Sequence, residues 1–84
     1  MISQIRRAAL SVHLNIAEGS SRKSETERKR YYEIARGSLI EIDAALDIAK
    51  ELLYLEERNL IAFEKLIIQC FKLISGMIES KPRN

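Results

Sequence analysis

Residues 4–19 read Gln4-Ile5-Arg6-Arg7-Ala8-Ala9-Leu10-Ser11-Val12-His13-Leu14-Asn15-Ile16-Ala17-Glu18-Gly19. With Ile2, the apolar positions Ile5, Ala9, Val12 and Ile16 recur at steps of 3, 4, 3 and 4, which is a heptad seam on one face of a helix. Leu10, Leu14 and Ala17 fall about 100° round the helix and form a second apolar strip. A helix with two such strips has two neighbours. Glycine at position 19 is the residue expected just past a helix C-terminus, in the left-handed conformation that suits it. Ordinary packing does not require an Arg pair, Asn15 and Glu18 on so short a helix, so these side chains specify an assembly or meet a charged partner.

Working outward, the helical pattern returns twice. Ser24 followed by Glu27 is a capping box, in which hydroxyl and carboxylate satisfy free backbone N–H groups reciprocally. A second helix is predicted over about 25–55, some 45 Å at about 1.5 Å per residue. Its seam is Tyr31, Ala35, Ser38, Ile42, Ala45, Ala49 and Leu52, and a second strip carries Ile34, Gly37, Glu41, Ile48 and Leu55. Glu56-Glu57-Arg58 reads as a turn, with Asn59 as the N-cap of a third helix over about 60–79. There Phe63, Ile67, Cys70, Ile74 and Met77 form the seam, while Leu60, Leu66, Ile68, Phe71, Leu73 and Ile78 widen the apolar face. Pro82 and a polar tail end the pattern. The fold class is all-α, an up-and-down antiparallel helical bundle in a single domain over 1–84, with helices over about 2–18, 25–55 and 60–79. All three helices show more apolar face than a three-helix monomer hides, which predicts a fourth helix from elsewhere or contacts between subunits.

Composition narrows the function. Eighty-four residues with 46% hydrophobic and 31% charged content fit one globular or bundled helical domain and not a disordered chain. A domain this small buries only about 60–65% of its unfolded surface and gains from oligomerisation. The single cysteine, Cys70, excludes an internal disulfide and reads as a small hydrophobe on a seam, compatible with a reducing compartment. Arg6 and Arg7 interrupt any signal-peptide core, and no run reaches the ~20 apolar residues of a membrane span, so a cytoplasmic protein is expected. His13 stands alone, and there is no phosphate loop, paired-Cys motif or Glu-x-x-His signature; catalysis, metal and cofactor are not expected. The net charge of +2 hides an asymmetry. Residues 1–36 hold eight basic against four acidic side chains, a net +4, and residues 37–84 hold six against eight, a net −2. The front half suits a polyanion or the acidic half of a neighbouring subunit.

Three motifs in order, Ser3-Gln4-Ile5-Arg6-Arg7-Ala8, Asn15-Ile16-Ala17-Glu18-Gly19 and Ala35-Arg36-Gly37-Ser38-Leu39-x-Glu41, give the chain a family resemblance from Ile2 to about Ile78. It resembles the four-helix-bundle family of 23S rRNA intervening-sequence proteins. The resemblance implies a small up-and-down bundle, a five-fold ring and no enzymatic activity. A related branch acts as an accessory to diversity-generating reverse transcriptases, which implies RNA or DNA, and a protein such as a reverse transcriptase, as partners. Family members begin with a further helix of about 25–30 residues, a length typical of bundle helices. Here Met1 sits almost on the first motif, so the family's first helix is expected to be missing.

Two groups of candidate residues follow. Glu41 lies within an apolar strip beside Gly37, and a buried carboxylate needs a partner, since alone it costs several kcal/mol. Arg6, Arg7 and Asn15 are candidate partners, with Gly37 allowing close approach. Together with Glu18 and Arg36 they form a predicted polar cluster that specifies the bundle; the alternative is a functional polar site. Arg22, Lys23, Arg28, Lys29 and Arg30 form the second group, at the connection and the first turns of the long helix. They read either as a solvated face or as a nucleic-acid backbone contact, in which Lys and Arg release phosphate counterions without sequence preference. Tyr31 and Tyr32 follow and are placed to stack on bases or to pack in the seam. The expected function is a non-enzymatic homo-oligomer that binds RNA or DNA backbone through this basic surface. The alternative is an oligomeric protein–protein scaffold without nucleic-acid binding.

Overall fold

The computed structural model describes residues 2–52 and 56–80, and every described element is helical: α1 (Ile2–Ser21), α2 (Glu25–Glu51) and α3 (Glu57–Glu79). Pro82 and Leu53–Leu55, including the end expected for the second helix, lie outside the described residues. Gly19 meets Tyr31 and Tyr32, and Ser11 meets Ser38, so α1 runs antiparallel to α2. Arg36 reaches Ser75, while Leu46 and Phe63 line one cleft, so α3 runs antiparallel to α2 on its other flank. The all-α, up-and-down expectation holds.

Packing explains the order. α2 lies in the middle, and among the described residues α1 and α3 touch it but not each other. The buried cluster is Tyr32, Ala35, Leu39 and Ile74, with Val12 and Ile16 from α1 and Ile67, Cys70 and Met77 from α3 packed around it. Cys70 is only half-buried, less than its place on the predicted seam implied, because it borders the opening between α1 and α3. The Cα atoms span 49 × 21 × 13 Å with a radius of gyration of 14.3 Å, against about 12 Å for a compact chain of this length. Three helices therefore form a shallow arc around α2, and the expected surplus of apolar surface is present. Leu10 (55%), Leu14 (54%), Leu66 (55%) and Leu73 (70%) keep half or more of their surface in solvent.

Two helix ends and one interior glycine depart from the sequence reading. α1 continues through Gly19 to Ser21, and Gly19 is a buried helical residue and not a left-handed stop. A Cβ at position 19 would lie 2.8 Å from Tyr32 Cε1 and 3.0 Å from Tyr31 Cβ, so glycine is required here for close helix approach. Gly37, which was expected to play that part, is exposed with no neighbour within 4 Å of a would-be Cβ. The N-cap of α3 is Glu56 (φ −67°, ψ 145°), not Asn59; it offers no side-chain cap, and Glu57–Asn59 already belong to the helix.

The N-terminus of α2 follows the reading in part. Ser24 is extended (φ −76°, ψ 130°) and its Oγ accepts from the Glu27 N–H at 3.4 Å. The return bond from Glu27 is not formed among the described residues, so the box is half closed. Ser24→Ala should lower stability by about 1 kcal/mol, read as a shift in the chemical-denaturation midpoint. An unchanged midpoint would mean that the cap contributes nothing.

Candidate nucleic-acid interface

The turn between α1 and α2 carries the basic run, and its geometry divides the five cations. Arg22 Nη2 pairs with Glu18 one turn back on α1 and donates to Tyr31 Oη at 3.3 Å. Its guanidinium carbon lies 5.2 Å from the centre of the Tyr31 ring. The hydrogen bond to Glu18, followed by the Tyr31 and Glu18 charges, raises the Arg22 pKa above its ordinary value. Arginine is already protonated throughout the working range, so no pH dependence follows. Arg28 Nη1 donates to two carbonyl oxygens of the turn, Arg22 O at 2.9 Å and Lys23 O at 2.8 Å. These acceptors are carbonyls of the turn itself, between α1 and α2, which have no helical partners. Arg22 and Arg28 therefore brace the turn.

Lys29 Nζ sits 3.0 Å from Glu25 Oε1, one helical turn away. Both partners are about 40% exposed, so the pair is weak and a phosphate can compete for the lysine. Lys23 and Arg30 are exposed and make no hydrogen bond or ion pair among the described residues. Tyr32 is buried, with its hydroxyl 3.1 Å from Ser20 Oγ, and Tyr31 is half-buried under Arg22. Both tyrosines thus pack the α1–α2 junction, the seam alternative of the two readings. Lys23 stands on the braced turn, and Lys29 and Arg30 follow in the second turn of α2.

Of the six residues of the predicted polar cluster, Arg7 and Glu41 line one groove between α1 and α2, but no two of the six hydrogen-bond or pair among the described residues. Arg6 is exposed beside the opening between α1 and α3. Arg7 is exposed, and its Nε donates to Ser3 O at 3.4 Å. Asn15 Nδ2 donates to Ser11 O at 2.8 Å and Ser11 Oγ at 3.1 Å. Glu18 holds Arg22. Arg36 Nη1 donates to Ser75 Oγ at 3.2 Å and lies 5.8 Å from the centre of the Phe71 ring, which ties α2 to α3. Glu41 is exposed without a partner among the described residues. Ile34, Glu41 and Ile48 share its strip, and all three face the open groove beside α1, where water replaces the partner a buried carboxylate would need.

A second polar contact joins α1 to α2, away from the Ser20–Tyr32 bond, and was not anticipated. Ser11 Oγ and Ser38 Oγ are 2.7 Å apart, and Ser38 is only 7% exposed. Asn15 extends the chain. A serine on the α2 seam, and Asn four residues after Ser on α1, were the available signals. Among the described residues no three His, Cys, Asp or Glu side chains gather to hold a metal, and no helix is long and apolar enough to cross a membrane.

These features define an all-α helical bundle with a braced basic turn between its first two helices. The family model for 23S rRNA-intervening sequence protein matches residues 1–76, and the chain belongs to that family. No curated protein and no solved structure matches it.

Proposed function

We propose that this chain is a non-enzymatic, homo-oligomeric cytoplasmic protein that binds the backbone of RNA or DNA through the α1–α2 turn. The observation that carries the reading is that Lys23, on the turn that Arg22 and Arg28 brace, and Arg30, in the second turn of α2, are exposed without internal partners among the described residues. A braced support lowers the ordering cost that flexible surface cations pay on binding. Lys29 joins them when phosphate displaces Glu25. Glu18, Glu25, Glu27 and Glu33 offset most of the local charge, so one copy binds weakly and symmetry-related repetition supplies avidity.

Lys23→Ala/Arg30→Ala should weaken binding to duplex or single-stranded RNA about tenfold or more at low salt. It should also flatten the log K against log salt slope by about 1.8 per copy on duplex. Unchanged affinity and slope in an electrophoretic or anisotropy titration would sink the reading. The exposed leucines favour a second one, an oligomeric scaffold whose partner is a protein, such as a reverse transcriptase. A chain that ignores RNA and DNA at low salt selects the scaffold.

A further inference from the structure

α1 meets one neighbour and leaves its far side bare. Ala8 and Gly19, the buried residues of this helix, face α2. Leu10 and Leu14 lie about 120° or more round the helix from them, and they stay 55% and 54% exposed. Arg6 and Arg7 flank that strip on its two sides. Among the described residues Arg6 has no partner, and Arg7 bonds only to the Ser3 carbonyl. Glu18, the one acidic residue of α1, is held by Arg22. The bare side of α1 is therefore apolar along its centre and cationic at its edges.

A face of the opposite charge lies between α2 and α3. An open groove of about 270 Å³ has Ile40 and Asp43 on its α2 wall and Ile68, Phe71 and Lys72 on its α3 wall. Ile40 and Ile68 are each 55% exposed and Phe71 39%. Asp47 continues the Ile40–Asp43 stripe, at steps of 3 and 4. Both aspartates are exposed without a partner among the described residues. From Glu33 to Glu51, α2 carries five acidic side chains against two basic, a net −3. Leu10 and Leu14 thus match Ile40, Ile68 and Phe71, while Arg6 and Arg7 match Asp43 and Asp47. The exposed area suffices for two faces on each chain. The chain exposes 6554 Å², whereas a compact protein of its 9.7 kDa mass exposes about 5,100 Å². That surplus of about 1,400 Å² is nearly twice the roughly 800 Å² that one partner covers at a stable interface.

We propose that the outer strip of α1 in one chain seats in the α2–α3 groove of the next, a head-to-tail contact in which Arg6 and Arg7 meet Asp43 and Asp47. The two faces lie on different helices, so one chain engages both at once. Such a contact closes a ring of any number of chains, five included, and repeats every α1–α2 turn at the same height along the ring axis. This rests on the homo-oligomeric part of the reading above and adds the two faces through which it forms.

Light scattering coupled to size exclusion tests it. The unaltered chain should elute at a multiple of 9.7 kDa above a single chain. Leu10→Glu/Leu14→Glu and Ile40→Lys/Ile68→Lys should each run as monomers with unchanged far-ultraviolet circular dichroism, self-association weakening at least about 100-fold. Mixed in equal amounts at high concentration, the two variants should form a heterodimer and nothing larger, because each keeps the face that the other has lost. Arg6→Glu/Arg7→Glu alters only exposed side chains and should also run as a monomer, which reads the α1 face without risk to the fold. An unaltered chain that runs as a monomer overturns both this proposal and the homo-oligomeric reading. An oligomer that survives either set of changes overturns the faces alone. Variants that stay monomeric when mixed overturn the head-to-tail pairing and leave the homo-oligomeric reading standing.

Discussion

Ile74→Ala should cost about 3–5 kcal/mol, most of the stability that a domain this small has to lose. Ile74 is 2% exposed, the largest fully buried side chain among the described residues, and it packs on Tyr32, Ala35 and Leu39. The neighbouring Leu73→Ala should change the monomer by less than about 0.5 kcal/mol, since Leu73 is 70% exposed. Urea titrations at low protein concentration compare the two adjacent substitutions directly. Equal midpoints would show that the core is not where the α2–α3 contact places it.

Gly19→Ala should destabilise by about 1–2 kcal/mol, although alanine is the better helix former by about 1 kcal/mol. The new methyl group would meet the Tyr32 ring at 2.8 Å and Tyr31 Cβ at 3.0 Å. Neither neighbour yields cheaply, because the Tyr32 ring is buried with its hydroxyl bonded to Ser20, and a Tyr31 Cβ moves only with the α2 backbone. Gly37→Ala carries the opposite sign. With no atom within 4 Å, that substitution should stabilise by up to about 1 kcal/mol. Thermal melts of the pair give the contrast, and a stabilising Gly19→Ala would mean that α1 and α2 lie further apart at the turn.

Apolar periodicity made the three helices and their antiparallel order legible, because steps of 3 and 4 leave no strand alternative. Ser24 was legible as a cap for the same local reason. The end of α1 was not. Gly19 has one signature in sequence, a glycine after a helical run, and two physical uses, a left-handed stop or a close approach. The choice depends on whether a bulky side chain of another helix arrives there, as Tyr32 does. Asn59 was misread similarly, since a good capping residue competes with a helix that starts earlier, at Glu57 with Glu56 as its N-cap.

The candidate site divides along the same line. Charge type and position placed all five cations at the turn, but a linear sequence does not say which of them spend their donors on carbonyls or carboxylates. Arg28 reaches back five and six residues to the turn, and Arg22 lies against Tyr31, nine residues on. Both distances are set by the fold of the turn. Glu41 shows the converse, a carboxylate in an apolar strip that needs no partner because its strip faces a groove.

By itself the sequence determined the helical class, the helix count, the family motifs and the basic character of the first turn, since these rest on local spacing and residue type. Tertiary structure alone decided which apolar strips are covered. α2 has two neighbours while α1 and α3 each have one, so identical heptad patterns end as core at Ile74 and as open seam at Leu66 and Leu73.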